Sequence, residues 1–238
     1  MADLYYSALL LFLGAWAGGG TAFLLPSDNN HRSRLFLSFS GAFLFALGLT
    51  EFFPTLFQEG PPGIGIWVLL GFLLQILLEV LSGGVEHGHV QKGHMMKKGI
   101  PFAALVGLSI HALMESIPLG GPGILNSEHF LMGLLVHKLP VSLALASLLL
   151  NSSDRRAPVV AAFSIFSLMG PLGIFIGNVL PERTSSLPTG ISYYILAIVL
   201  GVILHVSTTI LFESSDEHRL EQYKLLAVLA GFALGVFF

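Results

Sequence analysis

The stretch "HALMESIPLG" puts a histidine and a glutamate four residues apart in an apolar run from Ile100 to Leu125, with Pro118 close behind. Four residues on a helix is one turn, so His111 and Glu115 present an imidazole and a carboxylate on one face. That pair suits a borderline divalent metal such as zinc. It would also serve as a hydrogen-bonded pair sealing a helix interface. The next apolar stretch, "LVHKLPVSLALAS", places His137, Lys138 and Pro140 at a comparable depth. One helix alone offers two ligands. Antiparallel neighbours joined by a short loop would bring His111, Glu115 and His137 to one point, with Lys138 near enough to neutralise Glu115.

Other ionisable residues stand in apolar surroundings: Glu51 in "GLTEFFP", Glu79 near the end of its stretch, and His205 in "LGVILHVSTTILFES". Charged groups at mid-bilayer are costly and face a bundle interior or a water-filled cavity. A buried carboxylate needs a cation or a proton, which makes Glu51 a functional candidate. A single histidine such as His205 is by default a hydrogen-bonded packing residue, and Glu79 has the simplest alternative, reaching the membrane interface. The segment "EHGHVQKGHMMKK" carries Glu86, His87, His89 and His94; His-rich tracts often capture metal, although a solvated polar loop has the same composition.

These residues have to be held by helices in a bilayer. Of 238 residues, 54% are hydrophobic and only 11% are charged, against about 25% charged in soluble domains. Mean hydropathy is +0.81. The fold class is therefore all-α, a polytopic membrane protein. Net charge is −3 and no basic face invites nucleic acid. With no cysteine, disulfides are excluded and any metal must be held by nitrogen, oxygen or methionine sulfur. A spanning helix needs about 20 apolar residues. Such runs fall near 4–25, 34–57, 63–83, 99–121, 128–150, 157–180, 190–212 and 222–238, the last the shortest. No linker is long enough to divide the chain, so residues 1–238 read as one transmembrane domain with an inside histidine-containing loop at 84–98. The first run lacks a basic segment before it and reads as a first spanning helix. Cytoplasmic loops carry the excess of Lys and Arg. Placing the N-terminus outside puts Arg32, Arg34, Lys92, Lys97, Lys98, Arg155, Arg156 and Arg219 inside and Arg183 outside, so both termini are expected outside. The small-residue runs "GAWAGGG" and "SGAFLFALG" predict close helix packing.

The pattern resembles the Zrt/Irt-like (ZIP) family of divalent-metal transporters, over nearly the whole chain. Members have eight spans, both termini outside and a His-rich inside loop between the third and fourth. The family's fourth-span pattern is close to His-Asn-x-x-Glu-Gly-x-x-x-Gly; here "HALMESIPLG" keeps His111, Glu115 and Gly120. The fifth-span pattern is close to His-Glu-x-Pro-Glu; here "HKLPV" keeps His137 and Pro140. The sixth-span Glu-Pro-x-Gly reads "GPLG", keeping Pro171 and Gly173. The second and seventh spans also look like their counterparts. The resemblance implies a metal held by the fourth and fifth spans. Members that bind two metals use the residue after each histidine, a sixth-span acid and a shared fifth-span acid. Those positions here hold Ala112, Lys138, Gly170 and Val141. The resemblance therefore implies one metal site, of His111, Glu115 and His137 completed by Glu51 or water, with the Lys138 ammonium at the second-site position.

The function expected from these readings is import of a divalent metal, zinc first, by alternating access, in the bacterial inner (plasma) membrane, with His205 as a waypoint on the release side and no enzymatic activity. The metal is the transported substrate, and the oligomeric state is left open, a homodimer included. Two rivals stand beside it. An intramembrane zinc hydrolase would use His111, His137 and His205 as a three-histidine site with Glu115 activating water. A degenerate ZIP-like sensor would bind metal and move none.

Overall fold

The structure, a computed structural model, describes residues 2–24, 30–83, 99–121, 127–180, 190–212 and 218–237. The histidine-containing loop, with His87, His89 and His94, lies outside the described residues. The helices are α1 (Ala2–Leu24), α2 (Asn30–Leu47), α3 (Phe53–Glu59), α4 (Gly65–Ser82), α5 (Phe102–Ser116), α6 (Ser127–Ser152), α7 (Arg156–Val179), α8 (Ile191–Phe212) and α9 (His218–Phe237). Among the described residues, seven helical stretches are long and apolar enough to cross a membrane by length and composition; α9 contributes the shorter apolar helix Gln222–Phe237. The chain is an all-α polytopic membrane protein. Its outside is paved with aliphatic side chains, including Leu69, Leu73, Leu77 and Val80 on α4. Hydrocarbon, which makes no demand for polar partners, is the surroundings that fits such a face.

Proline explains the two places where a spanning helix changes its winding. Pro54 has no N–H to give to the preceding turn. The residues ahead of it, Gly48–Phe52, wind as a single π-turn that joins α2 to α3, and Glu51 sits in that turn. Thr55 Oγ1 donates to the Glu51 carbonyl at 2.7 Å, which occupies one backbone acceptor there. In the fourth span, Pro118 ends α5 and the chain continues as a 3₁₀ turn, Ile117–Gly120. The Ile117 N–H is turned back to the Met114 carbonyl. Both prolines thus sit one short step beyond an ionisable residue of interest.

The helices associate in two groups. On one side α1 packs along α6 and α7, and α5 along α7; on the other α2 packs along α9 and α8, and α4 along α8. The groups meet where α2 faces α6 and α4 faces α5. The expectation that α5 and α6 lie side by side is met only over a short stretch, because each has a longer contact elsewhere in its group. Lipid is as apolar as leucine, so helices gain chiefly from close approach between small residues. At the α4–α8 crossing a Cβ on Gly71 would run into the backbone of Ile198, and one on Gly201 into the carbonyl of Val68. At the α1–α6 crossing Gly18 lies against the Leu139 backbone, beside Lys138 in sequence. Replacing Gly201 with leucine should force α4 from α8. We expect a loss of roughly 1–3 kcal/mol, the range for overpacking a filled core, read as a lower midpoint of thermal unfolding in detergent.

Candidate metal centre

His111 and Glu115 lie on the last two turns of α5, and His137 and Lys138 lie just before Pro140 of α6. All four side chains are buried, His137 and Lys138 to within 1% of full burial. One potential ligand atom from each of His111, Glu115 and His137 lies within 4.8 Å of the other two. The His111 Nε2–Glu115 Oε2 separation is 3.3 Å. Two ligands on a tetrahedral zinc, each about 2.0–2.2 Å from the ion, stand at about that spacing. The imidazole ring centroids of His111 and His137 are 6.0 Å apart and their planes are inclined at 70°, so the rings meet edge to face and do not stack.

Lys138 is part of this arrangement. Its Nζ donates to Glu115 Oε1 at 2.9 Å, so the carboxylate is split, one oxygen to the ammonium and the other to His111. A charge-assisted bond of this length is a strong one. The ammonium also stands 6.0 Å from the centroid of the Phe166 ring, within cation–π range. A Cβ added to Gly170 would lie 3.3 Å from Nζ. The lysine therefore fills the space beside Gly170 of α7. Ala112 and Val141, both buried, offer no ligand atom.

Gln75 was not evident as a site residue from sequence. It is fully buried on α4, and its Oε1 is 3.1 Å from His111 Nδ1. With Oε1 as acceptor the ring proton resides on Nδ1, and the Nε2 lone pair faces Glu115 Oε2. Two acceptors 3.3 Å apart repel unless a positive charge lies between them, either a proton or a metal ion. The available signal was its position: a lone amide in "GIWVLLGFLLQILLEVLS", four residues before Glu79 and so on the same helix face.

The remaining candidates lie elsewhere. Glu51, expected to complete the ligand set, is turned to His129 at the start of α6, with Nδ1 2.9 Å from Oε1; among the described residues the group gathered around His111 contains no acid besides Glu115. His129 lies in the first turn of α6, inside the run 128–150 read from the sequence, but was not singled out there among the ionisable residues. His205 faces Glu79, with Nε2 3.4 Å from Oε2, and packs edge-on against Phe72, centroids 4.8 Å apart. His205 therefore does not join His111 and His137 in a three-histidine site, which leaves the hydrolase reading without its third ligand.

A bundle of apolar helices whose interior holds an imidazole–carboxylate cluster and a buried lysine defines a class: a polytopic integral membrane protein with a ligand-rich, charged interior. The family model for the ZIP zinc transporters matches residues 86–238, a span that contains His111, Glu115, His137 and Lys138. This chain belongs to the ZIP zinc transporter family. It is 30% identical over 171 residues to zinc transporter ZIP1 of Homo sapiens, covering 66% of this chain and 52% of that protein. It is 27% identical over 170 residues to zinc transporter ZIP1 of Mus musculus, with the same coverages. Zinc transporter ZIP1 of Danio rerio is 26% identical over 157 residues, 65% of this chain and 51% of that protein. The chain spans about half the length of the curated relatives it matches. These relatives are vertebrate proteins and do not point to the bacterial inner membrane.

Proposed function

We propose that this protein carries a divalent metal ion, zinc first, across a membrane through one buried site made of His111, Glu115 and His137. The observation that carries the reading is the convergence of those three ligand atoms within 4.8 Å in the interior of a ZIP-family helix bundle. All three ligands lie on α5 and α6, in one helix group, while Gln75 approaches from α4 in the other. Alternating access follows if the first group shifts against the second and carries the site with it, as transporters commonly do around a midplane site. The ligands bind metal only when deprotonated, so proton uptake by Glu115 or a histidine favours release. Lysine and arginine placement orients the chain with the 84–98 loop inside. Residues 1–238 act as one transmembrane unit, and the loop histidines His87, His89 and His94 receive the ion after release, with His205 on the way.

The test is zinc flux into proteoliposomes holding the purified chain. Time-dependent zinc entry that needs Glu115 supports the reading. Zinc bound stoichiometrically with no entry supports instead a metal sensor, the alternative that the Lys138–Glu115 bond favours. Gln75 gives a second measurement. As an outer partner that fixes the tautomer and tilt of His111, its replacement by leucine should weaken zinc binding by about 10–100-fold, the usual effect of losing such a partner. Isothermal titration calorimetry would measure it, and an unchanged affinity would remove Gln75 from the site.

A further inference from the structure

We propose that Glu51 and His129 form a second, shallower binding site for a borderline divalent cation of the zinc type, at the end of the bundle away from the C-terminus of α4 and the N-terminus of α5. The inference rests on the transport reading for its purpose, as a capture point ahead of the buried site, but its binding stands on separate residues. Four observations carry it. First, the carboxylate and the imidazole are already together: His129 Nδ1 is 2.9 Å from Glu51 Oε1. A small opening of this distance would accept an ion between them. Second, both side chains are 25% exposed, whereas those of His111 and Glu115 are 5% and 4% exposed. An ion can therefore arrive at the shallow pair with part of its water shell, and water can fill the coordination positions that two protein ligands leave open. Third, Glu51 Oε2 is buried without a hydrogen-bond partner among the described residues. A buried carboxylate oxygen lacking a donor is costly, and a bridging cation would remove that cost. Fourth, Glu51 sits in the π-turn Gly48–Phe52; such turns in α-helices recur at functional sites.

The same two segments are fixed by their neighbouring residues. Phe52 and Phe130, each next in sequence to a member of the pair, meet edge to face with centroids 4.8 Å apart, and both are fully buried. The aromatic contact holds α6 and the π-turn in register, so the ligand pair does not depend on its own bond for alignment. Along α6, His129 and His137 are eight residues apart, which at 1.5 Å per residue is about 12 Å of helix axis. The shallow pair thus lies directly along the helix that supplies a ligand to the buried cluster.

The experiment counts zinc bound to the 238-residue chain in nanodiscs by equilibrium dialysis. It compares the parent protein, the His111→Ala/His137→Ala variant, and that variant with Glu51→Gln or, separately, His129→Gln, all four carrying His87→Ala, His89→Ala and His94→Ala so that the loop histidines contribute no zinc. We expect the His111/His137 variant to keep one zinc with at least tenfold weaker affinity, and either added substitution to abolish it. The two substitutions lie on different helices, so if one variant fails to fold the other still decides. Zinc lost completely from the His111/His137 variant, with one ion bound by the parent, would overturn the shallow site and leave the buried one standing. Residual zinc that survives both Glu51→Gln and His129→Gln would also overturn it and assign that ion to other groups. Equal zinc affinity in the parent and the His111/His137 variant, abolished by Glu51→Gln, would support the shallow site and remove the buried one.

Discussion

Replacing Glu115 with glutamine is expected to abolish zinc uptake, by at least about 100-fold, equivalent to roughly 2.7 kcal/mol at 1.36 kcal/mol per decade. Glutamine keeps the shape but loses the anionic ligand between His111 and the ammonium. The single substitution does more than that, however. It leaves Lys138, donating to Glu115 at 2.9 Å, as an unpaired buried cation. Removing one partner of a buried pair commonly destabilises by about 3–5 kcal/mol, enough to make lost uptake ambiguous. The decisive protein is the double variant Glu115→Gln/Lys138→Met, which removes both charges. Its thermal unfolding midpoint should recover most of what the single variant lost, while uptake stays absent. Near wild-type uptake by the double variant would sink the buried site.

Lys138→Met alone should act in the opposite direction on binding. The ammonium is a fixed positive charge beside any ion held by Glu115. At about 5 Å and an effective dielectric near 20, a unit charge and a divalent ion repel by about 6–7 kcal/mol, an upper bound for the pair. Relief of even a third of that predicts zinc binding at least tenfold tighter than wild type. Without metal, the same variant should be destabilised by about 3–5 kcal/mol, because Glu115 has lost its counter-charge. Zinc at 100 times its dissociation constant returns about 2.7 kcal/mol by mass action. The signature is therefore a low melting temperature in chelator that zinc raises more than in the wild type, together with slower release and lower maximal uptake. Unchanged zinc affinity would show that the lysine does not act as a stand-in for a second ion. If the proposed site carries metal, the same charge argument would suit it to transit: Glu115 and Lys138 sum to neutrality, so an arriving ion would find ligands but little net attraction.

Much of this was legible from residue order. The helical class follows from an 11% charge content, because so few charges cannot solvate a surface of this size. The spans follow from the length that hydrocarbon demands. His111 and Glu115 share a face by helical period alone. Lys138 next to His137 stood out as a charge able to neutralise Glu115, and only the resemblance to the ZIP family marked its position as that of a second ion.

What order could not give was which distant segments meet. Glu51 is separated from His111 and His129 by 60 and 78 positions in the chain, and nothing local decides which it will face. The choice lies in helix packing: α2 and its π-turn meet α6, and α4 meets α5, with Gly71 and Gly201 letting α4 lie close on α8. That packing put Gln75 behind His111, turned Glu51 to His129, and paired His205 with Glu79. Sequence determined the kinds of groups present and their spacing along each helix, because these follow from the 3.6-residue turn. Only the tertiary structure decided their partners, because contact between helices depends on small residues and kinks summed over the whole bundle.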